Sequence, residues 1–338
     1  MARSIPTRLR ESLGLFVRVL RPNPLTFVGF ILVVLIVVTA VLVVAVPAVT
    51  LALTGHALLV VPYPPNAVNP TDTFARPSPS HLLGTDDVGR DLLSRILTAL
   101  PLDLFIGVAI AGFGFLVGLA LGLTAGFWDT PRTAGGALSV VIMRTTDVFL
   151  SFPTIVLALA IANSLGRGTL PSMIAVMASW WPFYVRLTRG EVLVIKQQPY
   201  VVAARAAGVP DGRILVRHVL RNLLEPLVVY FTMDIGTVIV TYSTISYIGI
   251  GVPSGVPEWG NMVSQYESFL LTNPLLIGFV ALAIFVTVLA FSLLGDGLRD
   301  VLDPRSRRAM TTAVATPTTS SAVLTEPPPE LGPAGSGE

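Results

Sequence analysis

The sequence predicts an all-α protein that crosses a lipid bilayer six times, and three observations carry that expectation. Of its 338 residues, 53% are hydrophobic and only 12% charged, about half the charged share of a soluble domain. The apolar residues are gathered into runs of the length a helix needs to cross a hydrocarbon layer of about 30 Å, roughly 20 residues. The cationic residues lie between those runs, and most fall on one side of the implied membrane.

The elements follow in order. Residues 1–24 are a basic N-terminal segment. Within it, 7–21 set Leu9, Leu13, Phe16, Val17 and Leu20 at helical spacing opposite Arg10, Glu11, Arg18 and Arg21, the pattern of an amphipathic helix lying in the membrane interface. The first span is 25–49. It is too long for the apolar core of a cleavable signal and has no small-residue cleavage site after it, so it is expected to be retained. A long outer loop, 50–102, follows. The core, 103–300, holds the remaining runs at 104–128, 148–166, 168–185, 226–250 and 268–295. Gly166, Gly168 and Pro171 punctuate a tight turn between the third and fourth runs. Pro153 and Pro182 are expected to kink those two spans, because each removes an intrahelical hydrogen bond. Residues 301–338, rich in Thr, Pro, Ser and Gly, show no apolar period and read as a disordered tail.

An even number of spans puts both termini on one side. That side collects 18 of the 22 arginines and lysines, leaving Arg76, Arg90, Arg95 and Arg167 for the other. The positive-inside rule therefore makes both termini cytoplasmic. In such a chain basicity is a topology signal, and no nucleic-acid partner follows from it. Cysteine is absent, which excludes disulfides, thiolate metal sites and thiol catalysis.

Two features inside the spans stand out. Gly114, Gly118, Gly122 and Gly126 recur every four residues along the second span, a stripe that lets a neighbouring backbone approach closely; a face that slides during gating is the sharper reading. Asp234 is the one acid deep in a span. Its cost in hydrocarbon requires it to face the bundle interior, a water-filled path or a partner subunit. Asp147 sits near the end of its span beside Arg144.

Between the fourth and fifth spans, the segment 189–222 is long for an idle connection. It reads Tyr200-Val-Val-Ala203-Ala204-Arg-Ala-Ala-Gly208-Val-Pro-Asp211 and continues through Arg213 and Arg217 to Leu220. The alanine-rich part favours a helix that Gly208 and Pro210 break. Asp211 is placed to cap a second short helix over 212–220. Together they would form a compact knob whose small side chains suit another protein's cleft.

These residues resemble the cytoplasmic coupling loop of ABC importer permeases, with the pattern Glu-Ala-Ala, three residues, Gly, nine residues, then Ile-x-Leu-Pro. Ala203, Ala204, Gly208 and Leu220 match at the right spacing, while Val202, His218 and Arg221 stand where the family has Glu, Ile and Pro. Three further segments are similar to the C-type subunits of the dipeptide/oligopeptide/nickel branch. They are His81-Leu-Leu-Gly84-Thr85-Asp86-Asp87-Val-Gly89-Arg90-Asp91-Leu-Leu-Ser94-Arg95, Pro257-Glu258-Trp259-Gly260, and Gly295-Asp296-Gly297-Leu298-Arg299-Asp300 with Asp303-Pro304.

The resemblance implies a type I importer permease in a bacterial inner membrane. It implies as partners a second homologous permease, two ATPase subunits that hold ATP and Mg, and an outer substrate-binding protein. It places ATPase contact on Ala203, Ala204, Gly208, Asp211, Arg213, Arg217 and Leu220, and makes Asp86, Arg90, Asp91, Glu258 and Trp259 candidates for docking the binding protein. Elementary readings stand beside these. Thr85 or Asp86 can cap a helix running through Ser94, Trp259 suits the membrane interface, and Asp296, Arg299, Asp300 and Asp303 can pair locally.

No nucleotide site is expected in the chain itself, since the single lysine, Lys196, lies in Val-Ile-Lys-Gln-Gln and not after a Gly-rich turn. His56, His81 and His218 are scattered and form no metal-ligand pattern. An ion-coupled carrier would need more buried ionisable groups than Asp234. An acid pair of Asp147 and Asp234 is the one enzymatic alternative. Peptides are the expected cargo, with nickel or haem as alternatives within the same architecture.

Overall fold

A computed structural model describes residues 24–302, and among these nine α-helices and no strand occur. The expected N-terminal interfacial helix and the C-terminal tail lie outside the described residues. Helix α1 is Pro24–Thr54, α2 Leu92–Phe127, α3 Ala134–Leu150, α4 Thr154–Leu165 and α5 Thr169–Lys196. A short α6, Pro199–Ala206, precedes α7, Asp211–Tyr247. Helix α8 is Trp259–Tyr266 and α9 is Pro274–Leu302.

Four helices, α1, α2, α7 and α9, are long and apolar enough to cross a membrane, and five spans result if the bent pair α3 and α4 counts as one. The remaining expected run, the fourth at 168–185, corresponds to α5, which carries Ser172, Ser179, Trp180 and Pro182 along its apolar part. Its low hydropathy has a physical reason. Helix α5 packs on α2, α3, α4 and α7, so its polar side chains face protein and not lipid. Helix α1 is the opposite case: apolar all round, with only Thr26, Gly29 and Ala40 buried.

Three expectations about boundaries are corrected. The third run, 148–166, is not one helix: it breaks at 151–153, and α3 and α4 meet at 89°. Pro153 sits at that break, ahead of α4, so the chain turns there instead of kinking. The outer loop is shorter than 50–102, because α1 continues to Thr54 and α2 already starts at Leu92. Finally, the second small helix of the knob does not stop near Leu220. It passes through a π-helical turn at Leu215–Leu220 and runs on to Tyr247.

Close approach fixes the bundle. A Cβ on Gly118 would lie 2.1 Å from the Tyr184 Cβ, one on Gly122 2.5 Å from that of Thr188, and one on Gly126 2.7 Å from that of Val192. The glycine stripe of α2 thus lies against residues 184, 188 and 192 of α5, both stripes advancing four residues at a time. On α9, Gly295 lies against Met233 of α7 and Gly297 against Thr26 of α1, which gives the Gly295-Asp296-Gly297 ending a packing role.

Three apolar clusters result among the described residues, the smallest around Ala125, Ile142 and Val185. Of the two larger, one surrounds Leu92, Ile96, Tyr242, Trp259 and Tyr266 near the 55–91 loop. The other joins Phe127, Val192, Ile195, Val201, Ile214, Val219, Leu223 and Leu227 at the arginine-rich end.

Candidate functional site: the α6–α7 knob and the Asp234 cavity

The knob is built outward from the second core. Val201, Ile214 and Val219 are buried against α2 and α5, and they moor it to the bundle. Lys196, last residue of α5, donates through Nζ to the Gly126 and Phe127 carbonyls at 2.9 Å each. These are orphan acceptors at the end of α2, where a cation is favourable. Arg189 pairs with Asp129 at 2.8 Å, and together these bonds tie α2 to the base of the knob.

Helix α6 ends in a Schellman turn. The Gly208 N–H donates to the Arg205 carbonyl and the Val209 N–H to that of Ala204, at 3.0 and 3.1 Å. Gly208 supplies the left-handed φ of +79° that this turn needs. A side chain there would meet nothing of its own chain within 4 Å. Asp211 does not cap by its side chain. It lies in the first turn of α7 after Pro210 and pairs with Arg205 at 3.5 Å across the bend.

Ala203, Gly208, Asp211, Arg213 and Arg217 are exposed, and Ala204 and Leu220 are half-buried. Tyr200, Val202 and Val216 are exposed apolar neighbours. The structure therefore brings the seven coupling candidates to one moored projection with a small-residue, apolar and cationic surface.

The outer candidates are placed differently. Asp86, Asp91, Glu258 and Trp259 are buried, and their polar atoms are engaged within the chain. Asp86 accepts from the Arg90 side chain at 2.7 Å and from the Tyr266 hydroxyl at 3.2 Å. Asp91, and not Thr85 or Asp86, caps α2, accepting from the Ser94 N–H at 2.8 Å, and it meets His81 at 2.9 Å. Glu258 caps α8 through the Gly260 and Asn261 N–H groups at 2.8 and 2.7 Å and also accepts from Ser246. Burial pushes its carboxyl above the ordinary range, against the pull of those donors. Trp259 is 1% exposed and donates to the Ile96 carbonyl at 3.3 Å, so it is an interior residue and not an interfacial one. Arg95, fully buried, reaches Asn66 at 3.1 Å and Gln265 at 3.3 Å. These signatures fold the outer loop onto the start of α2.

Asp234 lies midway along Arg221–Tyr247, about 20 Å from either end. Its Oδ2 accepts from the Trp180 indole at 2.7 Å and from the Tyr184 hydroxyl at 2.8 Å. It lines a cavity of about 390 Å³ with Leu150, Thr154, Ser179, Trp180, Phe183, Tyr230, Met233 and Thr237. Leu150 and Thr154, on either side of the α3–α4 bend, form part of the cavity wall. Asp147 is tied instead to Arg186 at 2.7 Å, so the two acids have separate partners and the acid-pair reading falls. Trp180 and Tyr184 were not among the sequence candidates. They lie 54 and 50 residues from Asp234 along the chain, and only their place on the glycine-facing helix could have signalled them.

Comparison with known proteins settles the family. Residues 114–308 match the family described as binding-protein-dependent transport system inner membrane component. The chain belongs to that family. It is an ABC transport permease, with membrane-spanning helices, and such permeases are not themselves enzymes. It is 42% identical over 229 residues to the glutathione transport system permease protein GsiD of Pectobacterium atrosepticum, covering 68% of this chain and 74% of that one. It is 38% identical over 242 residues to the probable D,D-dipeptide transport system permease protein DdpC of Escherichia coli (72% and 79% covered). Against the dipeptide transport system permease protein DppC of Alkalihalophilus pseudofirmus the identity is 34% over 288 residues (85% and 88% covered). The permease fold is shared with the inward-facing MetNI methionine ABC transporter, at a TM-score of 0.50 and 22% identity, covering 59% of this permease and 92% of that chain. Family membership implies ATPase and binding-protein partners for the permease.

Proposed function

We propose that this permease is one half of the translocation path of an ATP-driven peptide importer. It would pair with a second homologous permease, two ATPases and an outer binding protein, with both of its own termini cytoplasmic. The names of its relatives, which handle glutathione and dipeptides, support the cargo. The distribution of arginine supports the orientation. The ATPases would supply nucleotide and magnesium, since the single lysine here serves as a helix cap.

The observation that carries the mechanism is the continuity of the knob with a span. Because the helical path of α7 continues from Asp211 through the π turn at Leu215–Leu220 and past Pro226 to Tyr247, displacement of the exposed bend at Gly208 would be carried along it toward Asp234. Closure of the ATPases would pull on the bend, tilt α5 and α7, and alternate access to the chamber between the permeases. Ala203, Ala204 and Gly208 would make the close contact, and Arg213 and Arg217 would meet acidic groups on the ATPase.

The test is Gly208→Trp in the complete importer reconstituted in proteoliposomes. A Cβ at this position meets nothing of its own chain within 4 Å, but any side chain is strained at a φ of +79°, so Gly208→Ala is the control. A loss of peptide uptake with ATP hydrolysis retained, well beyond that of Gly208→Ala, would locate the obstruction in the ATPase groove. Uptake per ATP equal to wild type would refute the proposed contact.

A further inference from the structure

Five acids of this bundle are matched with cations: Asp86 with Arg90, Asp91 with His81, Asp129 with Arg189, Asp147 with Arg186 and Asp211 with Arg205. Buried Glu258 and Asp103 meet neutral donors, the Ser246 hydroxyl and the Gly260, Asn261 and Trp259 N–H groups. Asp234 is likewise held by neutral donors, but it lines an open cavity. Both of its hydrogen bonds come from neutral donors and end on Oδ2. Its Oδ1 has no hydrogen-bond partner, and no arginine, lysine or histidine pairs with it, among the described residues. Of the side chains lining the cavity it carries the only carboxylate.

A carboxylate held at mid-membrane without a counter-charge is costly, and either a proton or an arriving cation relieves that cost. The surroundings favour an organic cation. Trp180, Phe183 and Tyr230 line the same space, and aromatic faces attract ammonium groups when water is scarce. The cavity, about 390 Å³, falls within the range of small-ligand sites.

We infer that Asp234 and the aromatic walls of this cavity form a transit site for a primary ammonium, the free N-terminus of a peptide in passage. Trp180 and Tyr184 are positioning residues: by holding Oδ2 from α5 they leave Oδ1 for the ligand. Since α5 and α7 both descend from the knob, a shift between them would loosen the grip on Oδ2 and release the amine. This rests on the peptide-importer reading above and adds the chemical group recognised within the membrane.

The experiment has two readouts. The complete importer in proteoliposomes is assayed for trialanine uptake as wild type, Asp234→Asn and Asp234→Glu. The permease–ATPase complex in nanodiscs, without binding protein, is titrated with trialanine and N-acetyl-trialanine while tryptophan fluorescence is followed. Asp234→Asn is expected to lower uptake at least tenfold without change in assembly or melting temperature, and Asp234→Glu to recover part of the loss. Wild type is expected to bind trialanine at least tenfold tighter than its acetylated form, and Asp234→Asn to lose that preference. Equal binding of the two peptides by wild type would overturn the inference, even if Asp234→Asn failed to assemble. So would uptake by Asp234→Asn at the wild-type rate, or a loss of uptake that tracked a fall in melting temperature equally in Tyr184→Phe. A wild-type importer that takes up no peptide would instead refute the underlying reading of cargo.

Discussion

At the scale of single residues, Gly208 and Asp234 show how differently two notable positions can be explained. Gly208 is set by backbone geometry: its φ of +79° closes the Schellman turn, and the space around it is empty. Gly208→Ala should therefore destabilise the bend by about 1–2 kcal/mol through conformation alone, with Gly208→Asn milder. Uptake per ATP should fall in the order Gly, Asn, Ala, a ranking that coupled transport and hydrolysis assays can check. The need for glycine there was legible from the alanine-rich run and Pro210 that flank it. The surroundings of Asp234 were not, because hydropathy marks the buried acid and says nothing of which distant aromatic donors reach it. The outer signatures show the reverse failure. Asp86, Glu258 and Trp259 stand out as polar or aromatic residues in a loop, and only the folded chain reveals that they are buried caps and fasteners.

At the scale of elements, the seam between α2 and α5 is the joint on which both the knob and the cavity depend. The four-residue glycine period was readable because it equals the helical repeat; which helix fills it was not, since the matching stripe on α5 is Tyr184, Thr188 and Val192 and has no distinctive composition. Adding a methyl group at Gly118 would force the helices apart or the Tyr184 backbone to shift, at a cost of about 1–3 kcal/mol. Gly118→Ala should lower the melting temperature of the detergent-purified complex by several degrees. Gly112→Ala, with nothing near its Cβ, should leave it unchanged. The break between α3 and α4 was hidden for a related reason. Residues 148–166 are apolar throughout, and hydropathy cannot distinguish a straight crossing from a chain that turns 89° at Pro153. Helix α5 escapes the hydropathy criterion because neighbouring helices, and not lipid, surround its serines and tryptophans.

At the scale of the molecule, the arrangement separates a largely exposed apolar α1, a fastened 55–91 loop and a projecting knob at the arginine-rich end. The absence of cysteine makes the orientation easy to measure. Ala203→Cys should react with a membrane-impermeant maleimide only in inside-out vesicles. Leu58→Cys, exposed in the 55–91 loop, should react only from the outside. Labelling of both from one face would contradict the proposed topology. The long apolar helices α1, α2, α7 and α9 were legible because apolar length is a long-range average; the direct continuation of the knob into α7 was not, since the π turn at Leu215–Leu220 replaces the expected stop without any proline or glycine.

The most direct test of the mechanism is disulfide trapping between Val216→Cys, on the exposed side of that turn, and single cysteines along the groove of the ATPase subunit in membranes. A cross-link that forms in the resting complex and changes position or yield when ATP is trapped is the expected result. No cross-link from Val216 or Ala203 in either state, with the complex assembled and transporting, would contradict the seating of this knob on the ATPase.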